Sequence, residues 1–269
     1  MADLSWLGRM TLLTGEAGLA RLQAAHVLIV GLGGVGSFVA EFVVRAGVGE
    51  LTIVDGDVVD PTNRNRQLPA LATNHGVAKA DIMEERLLAI NPDLKLHVVK
   101  DFLTPEKATQ ICSSAKFDYV VDAIDSLTPK LYLLVAAKKL GLPMVSSMGA
   151  GGKIDPTKIK VADLKDTKIC HLALQVRKRL KRHEIRSGFK CVFSDEPLMR
   201  ESLMMTDGSN FKRSAYGTIS YLPAAFGGVV ASVVLRELLG FPIELFKEKV
   251  VKKKKKKVAP KTDTTESEI

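Results

Sequence analysis

"HVLIVGLGGVGSFVAEFVVRAG", residues 26–47, sets Gly31, Gly33 and Gly36 in G-x-G-x-x-G spacing between an apolar run and a helical pattern. His26 to Val30 reads as a buried strand, and Val39, Phe42, Val43 and Ala46 recur at helical spacing up to Gly47, a C-terminal cap. The glycines therefore occupy a strand-to-helix turn. There, small residues permit a tight bend and bring backbone close to a phosphate, while the first N–H groups of the helix attract negative charge. A second strand, "ELTIVD", ends at Asp55, where a carboxylate can accept ribose hydroxyls. Nucleotide binding is the expectation, against a glycine turn that serves packing alone.

A chain of 269 residues that is 46% hydrophobic can bury a full core, in one domain or in a domain with an elaborated second half. The amino terminus, "MADLSWLGRM", has neither a basic segment followed by an apolar one nor a small-residue cleavage site, which predicts a cytoplasmic protein. The apolar stretch from Ile219 to Leu235 is shorter than the roughly twenty residues of a membrane span, and Arg236 and Glu237 interrupt it, so a buried helix is expected. Cys112, Cys170 and Cys191 form no C-x-x-C pair, which argues against a disulfide framework or a zinc knuckle.

Strand and helix signals then alternate. "GVAKADIMEERLLAIN" places Ala80, Met83, Leu87 and Ile90 on one helical face. "LKLHVV" reads as a strand, "TPEKATQIC" as a helix start, "FDYVVDAID" as a strand, Thr128 and Pro129 as a helix start, and "PMVSS" as the next strand. Such alternation predicts an α/β protein with a doubly wound, Rossmann-like, mostly parallel sheet that binds ligands at the carboxyl ends of its strands. After Gly149 the pattern changes. "GAGGKIDPTKIKVADL" reads as turns and a short pair of strands, followed by a basic helical region and an irregular stretch to Ser214. The lysine-rich tail, residues 247–269, is low in complexity and expected to be disordered.

The nucleotide is decided by "VDGDVVDPTNRNRQL" and the "GVAKA" that follows. A dinucleotide dehydrogenase has little need of two arginines and a lysine just beyond its ribose acid, whereas a triphosphate does. Arg66 and Lys79 are placed to balance β- and γ-phosphate charge, and Asp125, ending "VVDAID", to hold magnesium. Singly, each also reads as an ordinary surface or capping residue. Together they favour ATP.

"GLGGVGS", "VDGDVVDPTNRNRQ", "GVAKA" and "DAIDS", in this order, resemble the adenylating superfamily of ubiquitin-activating enzymes, MoeB and ThiF. "NRNRQLPAL", "DFLTPE", "VVDAIDSLTPK", "GAGGKIDPT", "VRKRLKRHEIR" and "CVFSDE" are similar, within it, to the tRNA threonylcarbamoyladenosine dehydratase family. The resemblance implies an adenylating domain over residues 1–246, with a nucleotide core over about 20–150 and a tRNA-side half over about 151–246. It implies that Gly31, Gly33, Gly34 and Gly36 line the nucleotide loop and that Asp55 binds ribose. Asp57, Asn63, Arg66 and Lys79 would surround the phosphates, and Asp125 would be the magnesium and adenylation carboxylate. Arg9 matches the arginine that reaches a partner subunit's ATP, which implies a homodimer. A monovalent cation and a sulfurtransferase-type partner protein are also compatible with the resemblance. The implied reaction adenylates the threonyl carboxylate of the modified adenosine at position 37 of tRNA and then cyclises it with release of AMP. The rival within the superfamily is activation of a ubiquitin-like or sulfur-carrier protein; an NAD-binding or purely tRNA-binding module is the third possibility. Cys191 reads as a buried structural residue, since the substrate can supply its own nucleophile.

Lys168, Arg177, Lys178, Arg179, Lys181, Arg182, Arg186 and Lys190 have only Glu184 as an acidic residue among them. Such an excess suits RNA phosphates or a plain solvated helix, and the resemblance favours RNA for Arg177, Lys178, Arg179, Lys181, Arg182 and Arg186. The run Lys252–Lys257 suits nonspecific tRNA attraction, a nuclear-localisation-like patch or solubility equally.

Overall fold

The structure, a computed structural model, describes residues 3–205 and 214–247; the lysine-rich tail beyond Lys247 lies outside them. The opening stretch folds as read: β1 (His26–Val30) is buried at every residue, the turn follows, and α2 (Gly36–Arg45) begins at the third glycine. Before them runs α1 (Gly8–Ala24), broken at Gly15, whose φ of 71° is left-handed. After them come β2 (Glu50–Val54), α3 (Lys79–Ile90), β3 (Lys95–Val99), α4 (Pro105–Ser113), β4 (Tyr119–Asp122), α5 (Leu127–Lys139) and β5 (Met144–Ser147). The second half supplies β6 (Ile159–Asp163), α6 (His171–Leu180), β7 (Lys190–Ser194), a two-stranded ribbon of β8 (Leu203–Met205) and β9 (Ser214–Tyr216), and α7 (Tyr221–Leu239).

The main sheet has the order β3-β2-β1-β4-β5-β7-β6, all parallel except β6, which runs antiparallel to β7. Both faces are covered, as a parallel sheet requires. On one face Val39, Val43 and Val44 of α2 pack with Met83 and Leu87 of α3 and with Phe226, Val230 and Val234 of α7. The other face holds Ala108 and Ile111 of α4, Leu133 and Ala137 of α5, and Val176 and Leu180 of α6. Each Val or Leu so buried is worth roughly 1.5–3 kcal/mol, so these two seams set how the helices sit.

Two expectations are corrected. "GAGGKIDPTKIKVADL" supplies one strand rather than a pair: β6 finds its partner in "KCVFS", within the stretch read as irregular. That five-residue run is buried over its last four positions and alternates with nothing, so its periodicity carries no strand signal. The helix near the carboxyl end is also longer than read. At 19 residues α7 is long and apolar enough, by length and composition, to cross a membrane. Here Leu222, Phe226, Val230 and Val234 are fully buried in the core.

Candidate nucleotide site

β1 and β4 are neighbours whose connections leave toward opposite edges of the sheet, which opens a crevice beyond their carboxyl ends. Val30 is in register with both Val54 and Asp122, so Gly31, Asp55 and Ala123 emerge side by side. Gly31 has a φ of +93°, and a Cβ there would stand 2.9 Å from the Ala123 carbonyl oxygen. At Gly36 a Cβ would sit 1.7 Å from the Gly31 carbonyl oxygen, which no side chain survives. The Gly33 position is different. It is open, its nearest neighbour the Gln67 amide at 3.7 Å, so its backbone is the part of the turn that a ligand can approach. Asp55 pins the turn: one carboxylate oxygen accepts the Leu32 N–H at 2.6 Å and the other the Asp57 N–H at 2.7 Å. Burial pushes the Asp55 pKa up, only partly offset by the charge of Lys79 and by these two N–H groups.

The charged residues that follow gather on the same side. Lys79, at the start of α3, is buried, and its ammonium lies 3.1 Å from Asp57 Oδ2. The pair is held from both ends, because the Lys79 N–H also donates to the Asp57 carbonyl at 3.0 Å. Asn63 is buried in a short 3-10 turn; its Oδ1 accepts the Asp60 N–H while the Asp60 carboxylate caps the turn from the other side. Arg66, half-buried, is folded back by its guanidinium onto the Thr62 carbonyl at 2.8 Å and Asn65 Oδ1 at 2.9 Å. The Arg66 carbonyl is 3.2 Å from where a Gly34 Cβ would stand, so this segment packs directly on the glycine turn. Asp125 is exposed three residues beyond the end of β4. Arg9 is exposed in the first turn of α1.

A buried ion pair under this loop escaped sequence reasoning. Lys130 and Asp122 are essentially without solvent exposure, with Nζ 2.7 Å from Asp122 Oδ2. Ser146 Oγ donates to the same oxygen at 2.5 Å, the Ile124 N–H to Oδ1 at 3.1 Å, and Lys130 Nζ to the Ile124 carbonyl at 2.7 Å. The Ala123–Ile124 backbone that leads to Asp125 is thus fixed from below. The signal was present: a carboxylate at the end of an otherwise apolar strand demands a cation, and "DAIDSLTPK" offers one on the next helix. Lys153 is also buried, donating to the Ser194 carbonyl at 2.6 Å.

The basic segment divides. Arg177 donates to the Thr167 carbonyl at 2.6 Å and to the Thr167 hydroxyl, Lys190 pairs with Glu237 at 2.6 Å, and Lys168 lies over the Phe246 ring. Lys178, Arg179, Lys181, Arg182 and Arg186 are exposed. The cysteines are all buried; burial pushes the Cys112 thiol up to about 11 and that of Cys191 well above its ordinary value.

This architecture is that of the adenylating α/β proteins. The chain belongs to the ThiF family, whose model matches residues 7–266. It is 40% identical over 244 residues to the tRNA threonylcarbamoyladenosine dehydratase of Escherichia coli strain K12, spanning 84% of this chain and 91% of that protein. It is 36% identical over 243 residues to the protein of the same name from Bacillus subtilis strain 168, spanning 88% and 95%. Among solved structures, the E. coli dehydratase TcdA in complex with AMP superposes with a TM-score of 0.80 at 39% identity, covering 88% of this chain and 95% of that one. The same enzyme in complex with ATP gives 0.79.

Proposed function

We propose that the chain is an ATP-dependent tRNA threonylcarbamoyladenosine dehydratase. The observation that carries this reading is the buried Lys79–Asp57 pair beside the Asp55-pinned glycine turn, in a chain that is 40% identical to such an enzyme along most of its length. In this reading the turn's backbone N–H groups and the amino end of α2 receive phosphate, Asp55 accepts the ribose hydroxyls, and Lys79 and Arg66 balance the β- and γ-phosphates, with Asn63 and Asp57 holding them in place. Asp125 offers an exposed, hard oxygen donor that suits magnesium, which when bound neutralises phosphate charge. The threonyl carboxylate attacks the α-phosphorus of ATP and pyrophosphate leaves. A nucleophile within the same side chain then attacks the acyl carbon, one former carboxylate oxygen departs with AMP, and the ring closes with net loss of water. Alignment is the enzyme's main contribution. The raised thiol pKa values of buried Cys112 and Cys191 fit a reaction whose nucleophile belongs to the substrate.

We read Lys178, Arg179, Lys181, Arg182 and Arg186 as the tRNA-facing cations, with Arg177 holding the segment in place through Thr167. Arg9, exposed on α1, is assigned to the ATP site of a second copy in a homodimer, and the protein to the cytoplasm, where its substrate tRNA is found. ATP–pyrophosphate exchange tests the reading. Exchange should be stimulated by tRNA carrying threonylcarbamoyladenosine and not by a small carrier protein; the reverse pattern would transfer the chain to the carrier-activating branch. Asp125→Ala should abolish AMP release while leaving tRNA affinity within a few fold.

A further inference from the structure

His26, Glu50 and His97 converge at the amino ends of β1 and β2 and on the neighbouring edge strand β3. His26 is in register with Glu50, and His97 with Thr52, so all four side chains leave the same face of the sheet. His26 Nδ1 is 3.5 Å from Glu50 Oε1, and His97 Nε2 is 2.9 Å from that same oxygen; the three atoms lie within 4.8 Å of one another. Tetrahedral zinc, with bonds of about 2.0–2.1 Å to nitrogen and oxygen, holds its ligand atoms roughly 3.3 Å apart. The cluster is already near that spacing. His97, half-exposed, is the member with most room to adjust.

The surroundings favour a ligand role for the buried ring. His26 Nε2 lies 2.8 Å from Thr52 Oγ1, and the Phe117 ring packs on the imidazole with centroids 4.6 Å apart. In the tautomer whose Nε2–H donates to Thr52, Nδ1 turns its lone pair toward Glu50, the arrangement by which proteins orient metal-binding histidines. The backbone N–H of His26 is held in turn by Asp118 at 2.8 Å. Lys95 takes the other oxygen of Glu50 at 3.2 Å, which leaves Oε1 to the two histidines. Two imidazoles and one carboxylate select zinc or a similar transition ion over magnesium or calcium, which prefer all-oxygen shells.

We propose that His26, Glu50 and His97 form a three-ligand zinc site, with a fourth position for water, that clamps β1, β2 and β3 together. The site stands at the end of the strands opposite the glycine turn. Five residues of β1 separate the two, roughly 15 Å, so the site is distinct from any metal beside Asp125.

The test uses the full chain, stripped with a chelator and titrated with zinc in competition with a chromophoric chelator, then with cobalt as a spectroscopic substitute. The parent should take up one zinc that His97→Gln does not, show visible bands of tetrahedral cobalt that His97→Gln lacks, and gain thermal stability with zinc where the variant gains none. Glu50→Gln provides a second variant with the same expected loss should His97→Gln fold poorly. ATP–pyrophosphate exchange should match between parent and His97→Gln, which separates this site from the nucleotide site. Equal zinc uptake by parent and variants, or no uptake by the parent, overturns the proposal.

Discussion

Lys130 is the residue on which the loop after β4 depends most. Its ammonium has no solvent, and the Asp122 carboxylate, itself fully buried, is its counter-charge. Removing one member of such a pair strands the other, at a cost of about 3–5 kcal/mol. Lys130→Met should therefore lower the free energy of urea unfolding by that amount, and Asp122→Asn with Lys130→Met should cost clearly less than the sum of the single changes. A loss below about 1 kcal/mol for Lys130→Met would mean that water or a neighbour satisfies Asp122. Sequence reading singled out Asp125, three residues away, and passed over Lys130. The reason is physical: an exposed acid at a strand's carboxyl end advertises itself by position, whereas a buried lysine looks like any charge on a helix until the strand beneath it is placed. Gly36 was legible for the opposite reason, because its contact with Gly31 lies within the motif's own six-residue span.

At the scale of elements, α2 and α3 are joined by Glu41, which accepts from Arg45 on its own helix at 2.9 Å and from Arg86 on α3. Burial alone would raise the Glu41 pKa, but the hydrogen bonds and charges of Arg86 and Arg45 outweigh it and hold the carboxyl below its ordinary value. A folded-state pKa below the unfolded one means stability that is fully present above the unfolded value, about 4.3, and lost as pH falls through the folded one. Glu41→Gln should then cost about 1 kcal/mol at pH 7, read from urea midpoints, and the difference should be smaller at the lowest pH at which the protein stays folded. An unchanged difference at both pH values would assign the cost to packing. Of the elements themselves, those alternating from β1 to β5 were readable because each carries a period or a start signal, such as Thr104 capping α4 through the Lys107 N–H. β7 was not. A continuous buried strand resembles a fragment of anything apolar, and its identity rests on β5 and β6, which flank it from 45 and 31 residues earlier by their register partners Ser147 with Val192 and Val161 with Val192.

Across the whole molecule, the exposed cations of α6 and the turn after it face solvent away from the glycine turn in sequence, in a protein of net charge +9. Changing Arg179 and Arg182 to Ala should weaken tRNA binding and flatten the slope of log affinity against log salt by up to about one unit per lost phosphate contact, while ATP affinity holds. If instead the slope stays and ATP affinity falls, this segment serves the nucleotide site or a subunit interface. Arg177 was grouped with these residues by sequence because spacing on a helix cannot reveal Thr167, ten residues upstream, as the acceptor of its guanidinium.

The meeting of α7 with the start of α2 has a bearing on how the protein is made. Gly227 lies so close to Val35 and Phe38 that a Cβ there would come within 2.9 Å of the Val35 carbonyl oxygen, and Gly34 rests against Pro223. The turn that begins at residue 31 is thus braced by a helix that ends at residue 239. A ribosome delivers the chain in order from its amino end, so this turn gains its brace only once residues 223–227 have been made, nearly two hundred residues after it. Until those residues have emerged, the turn lacks the helix that holds it.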